Sequence, residues 1–297
     1  RSSLAAVPAL ARAHAEQILQ AIGSTERIEL VQAYALPLPA NVLFDLLGIA
    51  QDPVLRSTLI AWQQSITVAH DPSQTAGVRL QGATCAMALR GFFAALVQSH
   101  RRAPVAGLVG ELCESFAAAG LSDAELEATL CDLLVAGYLS TTFVIATGLW
   151  RMLQVPGTVD SLRADPASAP RVVDELLRLD GPVQVIDRFA SAPTTLAGRS
   201  IPAGGKATAV VGSADRDVAA FDAPDELRPD RGEEHMAFGA GVHRCVGAPL
   251  AHLVAPEALG ALLAFAPHIE LDGEPQWQTD PYLRAVTSLP LTLEGAR

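Results

Sequence analysis

The sequence predicts a mainly α protein with a few small β-sheets, and three observations carry that prediction. Alanine- and leucine-rich stretches place apolar residues at helical spacing over most of the chain. Cap and stop signals divide these stretches, among them the Ser122-x-x-Glu125 capping box and the stop at Val155-Pro156-Gly157. From Thr194 to Val211, short β-like runs alternate with Gly and Pro turns instead.

The elements follow in order. Ala5 to Ala21 reads as a helix closed by Gly23, and Pro37 to Ile49 as a short buried helix that ends near Gly48. Val54–Ala69 and Thr75–His100 are two further helices, separated by the turn signal His70-Asp71-Pro72-Ser73-Gln74. The capping box at Ser122 opens a long helix expected to run unbroken to about Gln154, a span of roughly 45 Å. Ala169–Leu179 is helical and stops at Gly181-Pro182. After the β-like region, a loop-rich segment leads from Gly212 to Met236. A last helix covers Ala248–Phe265, and a β-hairpin-like tail covers Arg284–Gly295. No repeat or linker divides the chain, so residues 1–297 are expected to form a single domain.

Composition narrows the function. Half of the 297 residues are hydrophobic and 5% aromatic, enough for a large core built of Ala, Leu and Val. A net charge of −11 argues against nucleic acid as a partner. The basic cluster His100-Arg101-Arg102 reads as a solvated helix end. Cys85, Cys113, Cys131 and Cys245 lie far apart with no CxxC pair, which argues against a disulfide framework or zinc ribbon and suits a reducing cytoplasm. Cys131 to Trp150 is long enough for a membrane span. Asp132, Gly137, Ser140, Thr141, Thr142 and Thr147 make it a buried central helix instead, so no membrane is expected. The chain opens on Arg1 with no leader pattern, and is expected to be a fragment or a trimmed product.

Chemistry concentrates in Ala237–Leu253, AFGAGVHRCVGAPLAHL, where one cysteine sits among glycines just before a helix. Glycine is used where backbone takes positive φ or approaches another body closely. A helix start and the neighbouring Arg244 favour a thiolate at Cys245. A thiolate held by bare backbone in a tight loop suits an iron ligand. A zinc reading from His235, His243, Cys245 and His252 is open on residue type, but His-x-Cys is not a usual zinc spacing.

This stretch resembles the haem-binding loop of the cytochrome P450 superfamily, Phe-Gly-x-Gly-x-His-x-Cys-x-Gly. It matches at Phe238, Gly239, Gly241, His243, Cys245 and Gly247. The run DELLRLDGPVQVIDRFA resembles the family's K helix and the strand after it. There Glu175 and Arg178 match the Glu-x-x-Arg pair, with Arg231 as its partner from the loop before the haem motif. The resemblance extends from about Ile28 to the C-terminus. It implies the family's fold without the N-terminal helices and most of the first sheet. It also implies haem b with Cys245 as axial ligand, and Arg188 and His243 as propionate partners. Phe238, Gly239, Gly247 and Ala136 would line the cofactor. Glu175, Arg178 and Arg231 would be structural, and Val183, Val185, Ile186 and Val286 would line an apolar substrate pocket.

Two departures stand out. The family's oxygen-activating stretch, Ala-Gly-x-acid-Thr, here reads Ala136-Gly137-Tyr138-Leu139-Ser140, with leucine at the acid and serine at the threonine. Gly137, Ser140 and Thr141 are the remaining candidates there, Gly137 as the residue that lets the helix approach the haem. The last helix carries His252 and Val254 where the family usually has Arg and Glu. The resemblance implies oxidation of a small hydrophobic molecule, plausibly in secondary metabolism. Electrons would come from a ferredoxin or flavodoxin-type donor with its reductase, in the cytoplasm. Two alternatives stay open: a truncated, non-catalytic haem-protein relative, and peroxide-driven or non-oxygenating chemistry on the same fold.

Overall fold

The computed structural model describes residues 2–71, 73–278 and 282–295; Pro72 of the expected turn lies outside them. Two compact units form, one from residues 1–14 and 36–142, the other from 15–35 and 143–297.

The first unit is helical. It holds α1 (Ser2–Ala5), the start of α2 (Val7–Ile22), α3 (Pro37–Leu46), α4 (Pro53–Ala69), α5 (Ala76–Arg102), α6 (Leu108–Ala118) and α7 (Asp123–Gly137). Local chemistry sets most of the starts. Asp52 accepts from the amides of Val54 and Leu55, Thr75 from Val78, and Ser122 and Glu125 close their capping box reciprocally. Leu59 and Ile66 of α4, Leu89, Phe93 and Val97 of α5, and Leu126, Leu130 and Leu134 of α7 are buried in the core. Gly82 lets α4 and α5 approach closely: a Cβ there would lie 2.2 Å from Ala69 Cβ.

The expected unbroken central helix is interrupted. α7 ends at Gly137, Tyr138 adopts φ −124° and ψ −34°, and α8 (Leu139–Gln154) starts anew. The sequence offers no proline there; a side chain from α4 meets the break, as described below. Phe143, Val144, Ile145, Ala146 and Leu149 of α8 are buried within the protein, as expected for a central helix.

The second unit contains β1 (Arg27–Glu29), a π-helical turn at Val31–Ala35, α9 (Thr158–Ala164), a 3-10 turn at Pro166–Ser168, and α10 (Ala169–Asp180). It continues with β2 (Val185–Phe189), β3 (Thr194–Leu196), β4 (Arg199–Ile201), β5 (Lys206–Val210) and α11 (Val211–Ala214). A 3-10 turn at Gly241–His243, then α12 (Ala248–Phe265), β6 (His268–Leu271), β7 (Gln276–Gln278), β8 (Ala285–Ser288) and β9 (Pro290–Glu294) complete it. The sheets are antiparallel: β1-β9-β6, β2-β5, β3-β4 and β7-β8. The tail is therefore not a hairpin. β8 pairs with β7, and β9 pairs with β1 and β6. Pro290 follows directly on Leu289, whose amide is taken by Glu29 Oε1 at 2.7 Å and whose carbonyl is taken by Leu30 N–H. Long-range partners capture the chain where a turn was expected. α6, α9 and the π-helical turn had no clear sequence signal.

Candidate functional site

The loop around Cys245 is closed by its own backbone. Gly239 N–H donates to Met236 O at 2.8 Å, Cys245 N–H to Phe238 O at 2.9 Å, and Arg244 N–H to Gly241 O at 3.1 Å. Gly239 and Gly241 have φ of +65° and +71°, a region that costs other residues strain. Gly247 has φ −82°, so backbone conformation does not require it. Its bare Cα lies beside the thiol, where a Cβ would sit 3.8 Å from Cys245 Sγ. α12 starts at the next residue, Ala248. The Cys245 side chain is exposed, as is His243 in the 3-10 turn.

Phe238, at the head of the loop, is flanked by two imidazoles, with ring centroids 5.7 Å from His235 and 5.0 Å from His252. Both rings reach Asp174 Oδ1 of α10, His235 Nε2 at 3.3 Å and His252 Nε2 at 3.0 Å. The hydrogen bond from His235 and the close imidazole of His252 hold the Asp174 carboxyl well below the usual carboxylate range. Ala237 N–H donates to His235 Nδ1 at 3.2 Å, so in neutral His235 the proton sits on Nε2 and points at Asp174. That tautomer suits a hydrogen bond that holds His235 beside Phe238. Of the residues in the zinc reading, His235 and His252 meet Asp174 rather than His243 and Cys245.

β2 runs alongside the loop. A Cβ on Gly239 would lie 3.7 Å from Ile186 Cδ1, so Ile186 faces the loop. Arg188, two residues on, shares that face of the strand. Arg188 is exposed and its Nη1 donates to the Asp187 carbonyl at 2.9 Å. Val183 and Val185 are half-buried, with Val183 bridged to Leu283. Val286 is fully buried, and its amide donates to Thr147 Oγ1 at 3.0 Å.

Behind the loop lies a buried charge cluster. Glu175 accepts from Arg178 Nε and Nη2, both at 2.8 Å, from Arg231 Nε at 2.9 Å and from the Arg228 amide at 2.9 Å. Arg178 also donates to the carbonyls of Asp215 and Pro224, each at 2.7 Å, and to that of Glu226 at 3.1 Å. Arg231 reaches the Ala223 carbonyl at 2.6 Å and the Asp222 carbonyl. Burial pushes Glu175 up; the bonds from Arg178, the Arg228 amide and Arg231 outweigh it and hold the carboxyl below its usual range. The cluster pins the loop-rich segment to α10. Asp215 extends the tie by accepting the Met236 amide at 2.6 Å, at the entry to the cysteine loop.

In the first unit, Ala136 is exposed and Gly137 and Ser140 are partly so, whereas Thr141 is buried. Ser140 Oγ donates to the Ala136 carbonyl at 3.2 Å. Gly137 has a local packing reason: a Cβ would meet Leu43 Cδ2 of α3 at 2.9 Å.

The family model for Cytochrome P450 matches residues 167–276. The chain is 35% identical to the cytochrome P450 monooxygenase PikC of Streptomyces venezuelae over 91% of its own length and 65% of that protein's. With the 6-deoxyerythronolide B hydroxylase of Saccharopolyspora erythraea it shares 31% identity over 94% of this chain and 69% of that one. The chain belongs to the cytochrome P450 family. Among solved structures, the Bacillus subtilis cytochrome P450 PksS of the bacillaene polyketide synthase superposes with a TM-score of 0.88 at 30% identity, covering 98% of this chain and 74% of that one. This cytochrome P450 thus spans about two thirds of the length of the curated relatives it matches.

Membership brings haem, bound through a cysteine thiolate. The second unit fits such a group. Cys245 is exposed, as are its sequence neighbours Val242 and Val246, and Arg188 shares with Ile186 the strand face that meets the loop. An open thiol with exposed apolar neighbours and an exposed arginine on the adjoining strand suits a flat apolar ligand with acidic edges. Sequence reasoning missed the meeting of His235 and His252 at Asp174 and the buried amide of Gln63. A polar residue one turn from Leu59, on the buried stripe of α4, was the signal for the latter.

Proposed function

We propose that this cytochrome P450 is a haem-thiolate monooxygenase that hydroxylates or epoxidises a small hydrophobic molecule of secondary metabolism. The observation that carries the reading is the exposed Cys245 thiol in a loop closed by its own N–H to Phe238 O. The named relatives support a polyketide-like substrate class. Electrons would come from a ferredoxin or flavodoxin-type donor with its reductase, in the cytoplasm.

Bound haem would supply the oxidising power. Cys245 would hold the iron as thiolate, while Phe238, Gly239 and Gly247 give it a close-fitting floor. Arg188 and His243 would pair the propionates, and Glu175, Arg178 and Arg231 would keep the loop in register. Val183, Val185, Ile186 and Val286 would form the apolar wall for substrate. Ala136, Gly137, Ser140 and Thr141 would serve on the oxygen side.

Proton delivery is where this chain departs from its family. Leu139 has no proton to give, and the hydroxyl proton of Ser140 is directed at the Ala136 carbonyl. The Ser140 oxygen keeps lone pairs able to accept from a water. Thr141 lies about 100° further round the helix and is buried, so it does not replace Ser140. Protons would therefore arrive through ordered water or a substrate hydroxyl. On this reading Ser140→Ala lowers dioxygen-driven turnover by well under the roughly hundredfold of a positioned proton donor. Peroxide-driven turnover stays largely intact. The assay measures product per reduced nicotinamide beside peroxide-supported product, with 6-deoxyerythronolide B as a first probe. Loss of product from both oxidants in Ser140→Ala, with haem and substrate binding intact, would refute the water route.

A further inference from the structure

The break at Tyr138 is not a frayed end. In an unbroken helix Leu139 N–H would donate to the Val135 carbonyl and Ser140 N–H to that of Ala136. Here Val135 O accepts Gln63 Nε2 at 2.9 Å, and Ala136 O accepts Ser140 Oγ at 3.2 Å. Gln63 belongs to α4 and is fully buried. Its Oε1 accepts the Tyr138 hydroxyl at 2.8 Å, and its Nε2 also donates to Thr67 Oγ1 at 3.0 Å. The amide can face only one way, because a carbonyl must receive a donor and Val135 offers only an acceptor. Both N–H groups and the oxygen are thus used. Tyr138 is itself fully buried, with its ring 6.5 Å from that of Phe44.

We propose that Gln63 is a positioning residue for the oxygen-side stretch: by taking the Val135 carbonyl and the Tyr138 hydroxyl, it holds the central helix open at Tyr138. The inference rests on the reading of Ala136–Ser140 as the oxygen side. A buried side chain filling a helix's missing hydrogen bond stabilises the interruption, since an unpartnered carbonyl there would be costly. It also ties the opening to α4, so a shift of α4 moves the carbonyl that defines the break. Without Gln63, the nearest backbone partner for Val135 O is Leu139 N–H, and that bond closes the helix.

Two variants test this in the haem-loaded protein. Gln63→Leu removes the clamp. Gln63→Leu/Tyr138→Phe also removes the hydroxyl that would otherwise be stranded, and so protects folding. Crystal structures of both should show α7 and α8 joined, with Leu139 N–H on Val135 O. Product per reduced nicotinamide should fall at least fivefold relative to peroxide-supported product, with the carbon monoxide spectrum unchanged. A break that persists in the double variant overturns the proposal. So does a closed helix with unaltered coupling, and so does failure of both variants to hold haem, which would assign Gln63 to folding alone. Absence of dioxygen-driven product from the unsubstituted protein would sink the monooxygenase reading instead. Helix closure would still report on Gln63.

Discussion

Replacing Glu175 by Gln tests the buried charge cluster directly. The substitution keeps one carbonyl oxygen but removes the charge and turns an NH2 donor toward donors. Arg178 and Arg231 face Glu175 with side chains only 1% and 6% exposed, so water cannot compensate either guanidinium. Breaking a buried pair by removing one partner costs about 3–5 kcal/mol, because the remaining charge stays desolvated. With a urea slope of about 3 kcal/mol per molar, the unfolding midpoint should drop by about 1–1.7 M. Unfolding followed by both haem absorption and far-ultraviolet circular dichroism checks that one transition is being read. The triple variant Glu175→Leu/Arg178→Met/Arg231→Met should lose less than the sum of the single losses, since no charge is left unpaired. A midpoint shift below about 0.3 M for Glu175→Gln, equivalent to under about 1 kcal/mol, would refute the assignment of this cluster as a stabilising lock.

Cys245→Ser should abolish the red-shifted carbon monoxide absorption of the reduced haem protein; an unchanged spectrum rules out Cys245 as ligand. Gly82→Ala should overpack α4 against α5 by about 3 kcal/mol, offset by only about 1 kcal/mol of helix propensity. Ala69→Gly in the same chain should restore part of the loss, and urea unfolding of the three proteins decides. The Glu175 carboxyl is depressed in the folded protein, so its contribution is fully present at neutral pH. It is lost as pH falls below the ordinary value of 4.5 and through the folded value. Stability measured from pH 6 down to about 3 should decline with a slope that Glu175→Gln flattens; parallel curves would contradict the linkage.

Much of the fold was legible because the signals are local. Ser122 and Glu125 close a capping box within one turn, Asp52 and Thr75 cap the next residues along, and Gly239 and Gly241 fix a loop through their own φ angles. The cysteine loop and the Glu-x-x-Arg pair are likewise read within a few residues, so the sequence alone pointed to the family and to Cys245 as the proposed iron ligand. What tertiary structure decided depends on partners distant in the chain. Tyr138 stands out of the helix where Gln63, 75 residues earlier, takes the Val135 carbonyl and the Tyr138 hydroxyl. The tail strands part because β1 and β7 compete for them more favourably than they pair with each other. His235 and His252 meet at Asp174, 61 residues before His235. Periodicity and capping act within a turn or two of backbone, whereas a buried polar group takes whichever partner the packed core brings to it.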